Sequence, residues 1–159
     1  MNSMNYQHII RSQYLATLEM LKEAIEKCPA ALWDDPADKN KFWHVAYHAL
    51  FYTHLYLQPT EQDFKPWAKQ RKANDLSRPA DPYTKEEILE YLAFCQQQVI
   101  EQVPQLILDA ESGFYWLPMN KAEMQIYTIR HLQQHAGELM ERLGSRAGID
   151  IDWVGRIQG

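Results

Sequence analysis

Little in this sequence suits a secreted, membrane-spanning or nucleic-acid-binding protein. Only two cysteines occur in 159 residues, Cys28 and Cys95, far apart and without a C-x-x-C partner, which excludes a disulfide framework and a thiol-redox motif. Each falls on the apolar stripe of an expected helix, so both read as buried free thiols that pack like small hydrophobes. No stretch reaches the roughly 18 uninterrupted apolar residues of a membrane span. The opening MNSMNYQHIIRSQY lacks the basic-then-apolar order of a signal peptide, and a cytoplasmic location is the expectation. Sixteen basic residues face 21 acidic ones, for a formal charge of -5. With no basic stripe to neutralise phosphates, nucleic acid is not an expected partner. No sustained polar–apolar alternation marks a strand, and no internal repeat marks a solenoid.

What is present fits one folded unit. Apolar residues at 46% and charged residues at 23% match a globular chain and not a disordered one, and the length is enough for a single core. Residues 1–159 are therefore expected to form one domain. Ile10, Tyr14, Leu18, Leu21, Ile25 and Cys28 recur at steps of three and four, which predicts an amphipathic first helix ended by Pro29. From about Lys41 to Leu57 the chain is apolar on nearly every side, so a second helix there must be covered by several neighbours or by a partner subunit. Pro59 closes it. Thr84 and Glu87 form a capping box, and Ile88, Leu92, Cys95, Val99, Val103 and Leu106 then trace a third helix to about Leu108. Asn120 with Glu123 starts a fourth, whose stripe runs through Ile129, Leu132, Ala136, Leu139, Met140 and Leu143 to an end near Gly144 or Gly148.

The expected fold class is thus all-α, a four-helix bundle with one long crossover loop between Pro59 and Pro82 and a partly docked tail from Gly148 to Gly159. Loops of that length without structure are uncommon in compact domains, so Phe64 and Trp67 are expected to pin it onto the bundle near a pocket mouth.

The histidines carry the chemistry. His131 and His135 are four apart on the fourth helix, so their rings stand on one face a turn apart and can grip one ion. The second helix holds another such pair, His44 and His48, in a stretch otherwise too apolar to welcome imidazoles. Burying an unpartnered polar ring costs roughly 1–3 kcal/mol, and a metal shared between two helices removes that cost for several rings together. One of His44 and His48 is then the expected third ligand, with His48 favoured because it lies farther inside the apolar run. The other reads as an outer-shell or helix-end histidine. His54 points well around the helix, and His8 is expected to face solvent.

Two segments, FWHVAYHALFY at Phe42 to Tyr52 and IRHLQQHAGEL at Ile129 to Leu139, resemble the DinB-like superfamily, also called DinB/YfiT-like, of four-helix-bundle metalloenzymes. In that family one histidine of the second helix joins two histidines four apart on the last helix, and the resemblance assigns those places to His48, His131 and His135. The family often has an acidic residue about one and a half turns after the second-helix ligand, where this chain has His54. The resemblance also implies a bundle that commonly dimerises, a zinc, nickel or similar divalent ion, and in some members transfer of a low-molecular-weight thiol such as bacillithiol or mycothiol.

Three imidazoles suit zinc, nickel, iron or cobalt better than magnesium or calcium, with zinc or nickel leading, and three protein ligands leave a position at which a water or thiol is acidified. The expected activity is that of a metal-dependent transferase or hydrolase acting on a small electrophile, with Tyr52 and Glu138 as candidate proton handlers or partners of the ligands. A non-catalytic metal or small-ligand binding protein with the same three ligands, linked to stress response, is the competing expectation. A homodimer is expected as well. In a third reading the histidines are structural, and Trp43, Tyr47, Leu50, His54 and Leu57, on the far side of the second helix, are mainly a dimer surface.

Overall fold

The computed structural model describes residues 3–71, 76 and 81–158. Among these the regular elements are all helical, and an isolated bridge between Glu111 and Asn120 is not extended into a strand. The caps set the boundaries. In α1 (Tyr6–Lys27) the Asn5 side chain accepts from the His8 amide at 3.0 Å, satisfying one of the unpaired donors of the first turn. Cys28 is extended, and Pro29 then opens a single further turn, α2 (Ala30–Trp33), which no periodic signal announced.

Helix α3 (Phe42–Tyr56) occupies the apolar segment between the caps Lys41 and Leu57. Helix α4 (Lys85–Gln102) starts with the reciprocal bonds of the capping box, Glu87 N to Thr84 Oγ1 at 3.1 Å and Thr84 N to Glu87 Oε1 at 3.0 Å. It stops earlier than the expected Leu108. Pro104 offers no amide and its ring opposes the carbonyl four residues back, so the chain tightens into a 3-10 turn at Val103–Gln105 and leaves the helix. Helix α5 (Lys121–Ala147) begins with the Asn120 side chain accepting from the Glu123 amide. It ends at Gly148, which is left-handed at φ 65°, with the Ile149 amide reaching back to the Leu143 carbonyl at 3.1 Å.

The four long helices touch in a ring. α1 packs on α4 and α5, and α3 packs on the same two, so every long helix has two neighbours with the core between them. A buried polar link crosses that core: the Tyr14 hydroxyl donates to Gln125 Oε1, and Gln125 Nε2 donates to the Tyr56 carbonyl at 3.0 Å, joining α1, α5 and α3. Both thiols are buried and free, as expected. The tail lies along α1, where Gln13 Nε2 donates to the Gly155 carbonyl and the Ile157 amide donates to Ser12 Oγ. No helix among the described residues is long and apolar enough to cross a membrane.

One expectation is overturned here. Trp43, Tyr47, Leu50, His54 and Leu57 are each at most 2% exposed, so this face of α3 is interior and offers no dimer surface. It is covered from within the chain by α4 and the segment after α3. Tyr83 stacks on Tyr47 at 5.0 Å, Tyr91 lies 5.7 Å from Tyr47, and Trp67 stacks on Tyr91 at 4.5 Å. Residues 72–75 and 77–80 of the expected crossover loop lie outside the described residues. Of the remainder, Phe64 packs against Phe51 and His54, so the aromatics do anchor the segment, on the His54 side of α3.

Candidate metal centre

Helix α5 presents His131 and His135 a turn apart, and α3, packed beside it, presents His48 to the same space. His131 Nε2 stands 3.1 Å from His48 Nε2 and 3.2 Å from His135 Nε2. The ring centroids are 4.6 to 5.0 Å apart, and the candidate ligand atoms of all three lie within 4.8 Å of one another. His135 is buried, while His48 and His131 are half-buried.

That geometry fits one ion better than it fits hydrogen bonding. Nitrogens each about 2.0–2.1 Å from a shared metal stand about 2.9 Å apart at a right angle and about 3.4 Å apart at the tetrahedral angle; the two spacings at His131 fall between, and the His48–His135 pair lies within 4.8 Å. A hydrogen-bonded trio is a poorer account, because a neutral imidazole Nε2 carries either one proton or one in-plane lone pair, and His131 Nε2 faces two partners at once. Burial, aided by the neighbouring rings of His135 and His48, pulls the His131 pKa down to about 4. The ring is therefore neutral near pH 7, the state a metal ligand requires.

A family model described as the DinB superfamily matches residues 7–139. The chain belongs to the DinB superfamily. Searches of curated proteins and of solved structures give no match. The matched span includes all three clustered histidines and Glu138, and membership in the DinB superfamily together with the cluster suggests divalent-metal binding.

The two accessory candidates stand beside the cluster. Tyr52, one turn after His48, sets its ring edge-on to His48 at 5.0 Å and to His131 at 5.6 Å. Glu138 Oε1 lies 3.1 Å from His135 Nδ1, and its Oε2 lies 3.4 Å from Arg142 Nη2. It is thus both a salt-bridging glutamate and the partner of a clustered histidine. With Nδ1–H donating to the carboxylate, the His135 Nε2 lone pair is left pointing into the cluster.

The other histidines fall outside it. His44 stacks on Trp43 at 4.8 Å with the rings 13° from parallel, and His8 is exposed. His54, where the DinB superfamily often has an acid, is 2% exposed and hydrogen-bonds the Tyr91 hydroxyl through Nδ1 at 2.9 Å. Two residues next to the site had no signal in the sequence, Arg142 and Asp38. Arg142 lies just past the matched span, and its partners Asp38 and Asn40 are about a hundred residues away along the chain.

Proposed function

We propose that this member of the DinB superfamily is a divalent-metal protein in which His48, His131 and His135 ligate one zinc or nickel ion, and that it is a metal-dependent transferase or hydrolase. The convergence of three Nε2 atoms from two helices carries this reading. Such an ion, with a ligand position left open, acidifies a bound thiol or water for attack on a small electrophile. The chain's own part is to hold the three rings aimed at one point. Glu138 fixes the His135 tautomer, and the Tyr52 ring lies edge-on against His48 and His131, which makes Tyr52 the other candidate proton handler. A low-molecular-weight thiol is the co-substrate that membership in the family supports.

The same reading takes the ring of α1, α5, α3 and α4 as a four-helix bundle in a single cytoplasmic domain, with the segment between Pro59 and Pro82 as its long crossover. It includes a homodimer. Because the far face of α3 is occupied, the dimer would use other apolar side chains, such as the exposed Tyr6, Ile9 and Ile126 along α1 and α5.

One observation favours a second reading, a metal or small-ligand binding protein without turnover. Glu138 is engaged by both His135 and Arg142, so this carboxylate is not free to carry protons during a reaction. Metal analysis of wild type and His48→Ala, followed by incubation of the loaded protein with a thiol and a halogenated nitrobenzene, separates the readings. About one metal per chain, lost in His48→Ala, with turnover that vanishes in His131→Ala, is the expected result. Metal without turnover would move the assignment to the binding protein, and no metal in wild type would overturn both. Sedimentation of the same samples as a monomer at micromolar concentration would remove the dimer.

A further inference from the structure

Two helices must hold a fixed spacing if imidazoles from both are to meet at one point. The contacts that lead away from His135 show what fixes it. From Nδ1 they pass to Glu138 Oε1 at 3.1 Å, and from Glu138 Oε2 to Arg142 Nη2 at 3.4 Å. Arg142 then leaves α5: its Nη1 donates to the Asn40 carbonyl at 2.9 Å and lies 3.4 Å from Asp38 Oδ2. Asp38 is held in turn by Arg146 Nη1 at 2.6 Å through its other oxygen, and Arg146 also pairs with Asp35. Asp38 and Asn40 belong to the segment that enters α3 at its cap, Lys41. The ring nitrogen of His135 on α5 is thereby connected, side chain by side chain, to the start of the helix that carries His48.

We propose that Arg142 is a positioning residue of the histidine centre, holding Glu138 on His135 while it ties α5 to the entry of α3. The inference rests on the metal reading above. A guanidinium suits the task because its planar fork directs donors to two partners at once, here a carboxylate of its own helix and a backbone carbonyl of another segment. The side chains of Arg142 and Asp38 are 14% and 15% exposed, so solvent screens this part of the chain of contacts little compared with a surface pair. Glu138 itself is 36% exposed. Without Arg142 its carboxylate is free to turn toward water, and the His135 ring loses the partner that fixes its tautomer and orientation.

Zinc affinity, measured by competition with a chromophoric chelator, tests this on wild type, Arg142→Met, Arg142→Lys, Glu138→Ala and the Arg142→Met/Glu138→Ala double variant. The visible absorption of the cobalt-loaded proteins reads ligand geometry in parallel. Arg142→Met is expected to weaken zinc by about 10- to 100-fold, the usual consequence of losing an outer-shell partner, and to alter the cobalt spectrum. The double variant should bind more weakly than Glu138→Ala by less than the Arg142→Met loss alone, since the part of Arg142 that acts through Glu138 is already gone and only its tie to Asn40 is left to lose. Arg142→Lys keeps the charge and protects folding, but a lysine cannot reach both partners, so a several-fold loss is expected there too.

An ion pair with a purely structural role would lower the unfolding temperature of the metal-free variants and leave zinc affinity unchanged. That result, or losses that simply add in the double variant, overturns the proposal while tight wild-type binding keeps the metal reading. A wild type that binds no zinc overturns both.

Discussion

Among the described residues, His131 and His54 are held far below the ordinary imidazole pKa, and the uses differ. His131 is lowered to about 4 by burial and by the two rings it meets, whereas His54 is lowered from 6.5 to about 4 by burial alone, with its Nδ1 on the Tyr91 hydroxyl. The sign of the pH effect follows for His54. Between about 4 and 6.5 the unfolded chain binds a proton there and the folded chain does not, so stability is full above 6.5 and declines as pH falls through that window. The full shift corresponds to about 3 kcal/mol at most. In metal-free protein, urea midpoints at pH 7 and pH 4.5 should therefore differ less in His54→Leu than in wild type. An equal difference in both would mean that the buried ring is not held neutral. Residues of this kind were only partly legible in advance. Spacing by four identified His131 with His135, but His44 and His48 share a helix face and the wheel alone does not choose between them; what separates them is the stacking of His44 on Trp43, a contact of rotamer and packing. Arg142 could not have been found at all, since its meaning comes from Asp38 and Asn40, on the far side of the sequence.

At the scale of elements, capping chemistry and apolar period were reliable guides because both are local. Thr84 with Glu87 and Asn120 with Glu123 each begin a helix where their side chains close the first turn. The short α2 carries too few residues for any period, and Pro104, a local signal overlooked against an apolar stripe that ran past it, ends α4 early. Which element covers the far face of α3 depends on tertiary packing, so an apolar helix read equally well as a subunit surface. Two glycines show how such context sets magnitudes. Both are in positive φ, Gly148 at 65° and Gly113 at 88°. A Cβ on Gly148 meets nothing within 4 Å, whereas one on Gly113 would sit 2.3 Å from the Pro59 carbonyl oxygen. Gly148→Ala should therefore cost only the left-handed penalty, roughly 1–2 kcal/mol. Gly113→Ala should cost clearly more, because the loop before α5 must also pull away from Pro59 and give up the bond from the Glu61 amide to the Gly113 carbonyl. Chemical denaturation of the two variants checks the order, and equal losses would show that the loop yields without strain.

For the molecule as a whole, the cluster lies between α3 and α5, two neighbours in the ring of long helices, and the core on their other sides is already filled. An ion bound there clamps two helices far apart in sequence, and it does so only in the folded chain, because unfolding separates residue 48 from residues 131 and 135. Anything that binds only the native state stabilises it by mass action, about 2.7 kcal/mol at a hundred times its dissociation constant. For a chain of this size each kcal/mol moves the midpoint by roughly 2–4 °C, so saturating zinc should raise the unfolding temperature by roughly 5–10 °C, and a chelator should reverse the rise. The net charge of -5 offers cations a weak, diffuse attraction that would also stabilise, and magnesium distinguishes the two: as a hard cation it prefers oxygen ligands and should leave the midpoint nearly unchanged. His131→Ala removes the nitrogen that faces both others, so the zinc-dependent rise should vanish in that variant even where its metal-free stability stays close to that of wild type. A zinc shift that persists in His131→Ala would place the stabilising ion somewhere other than between α3 and α5.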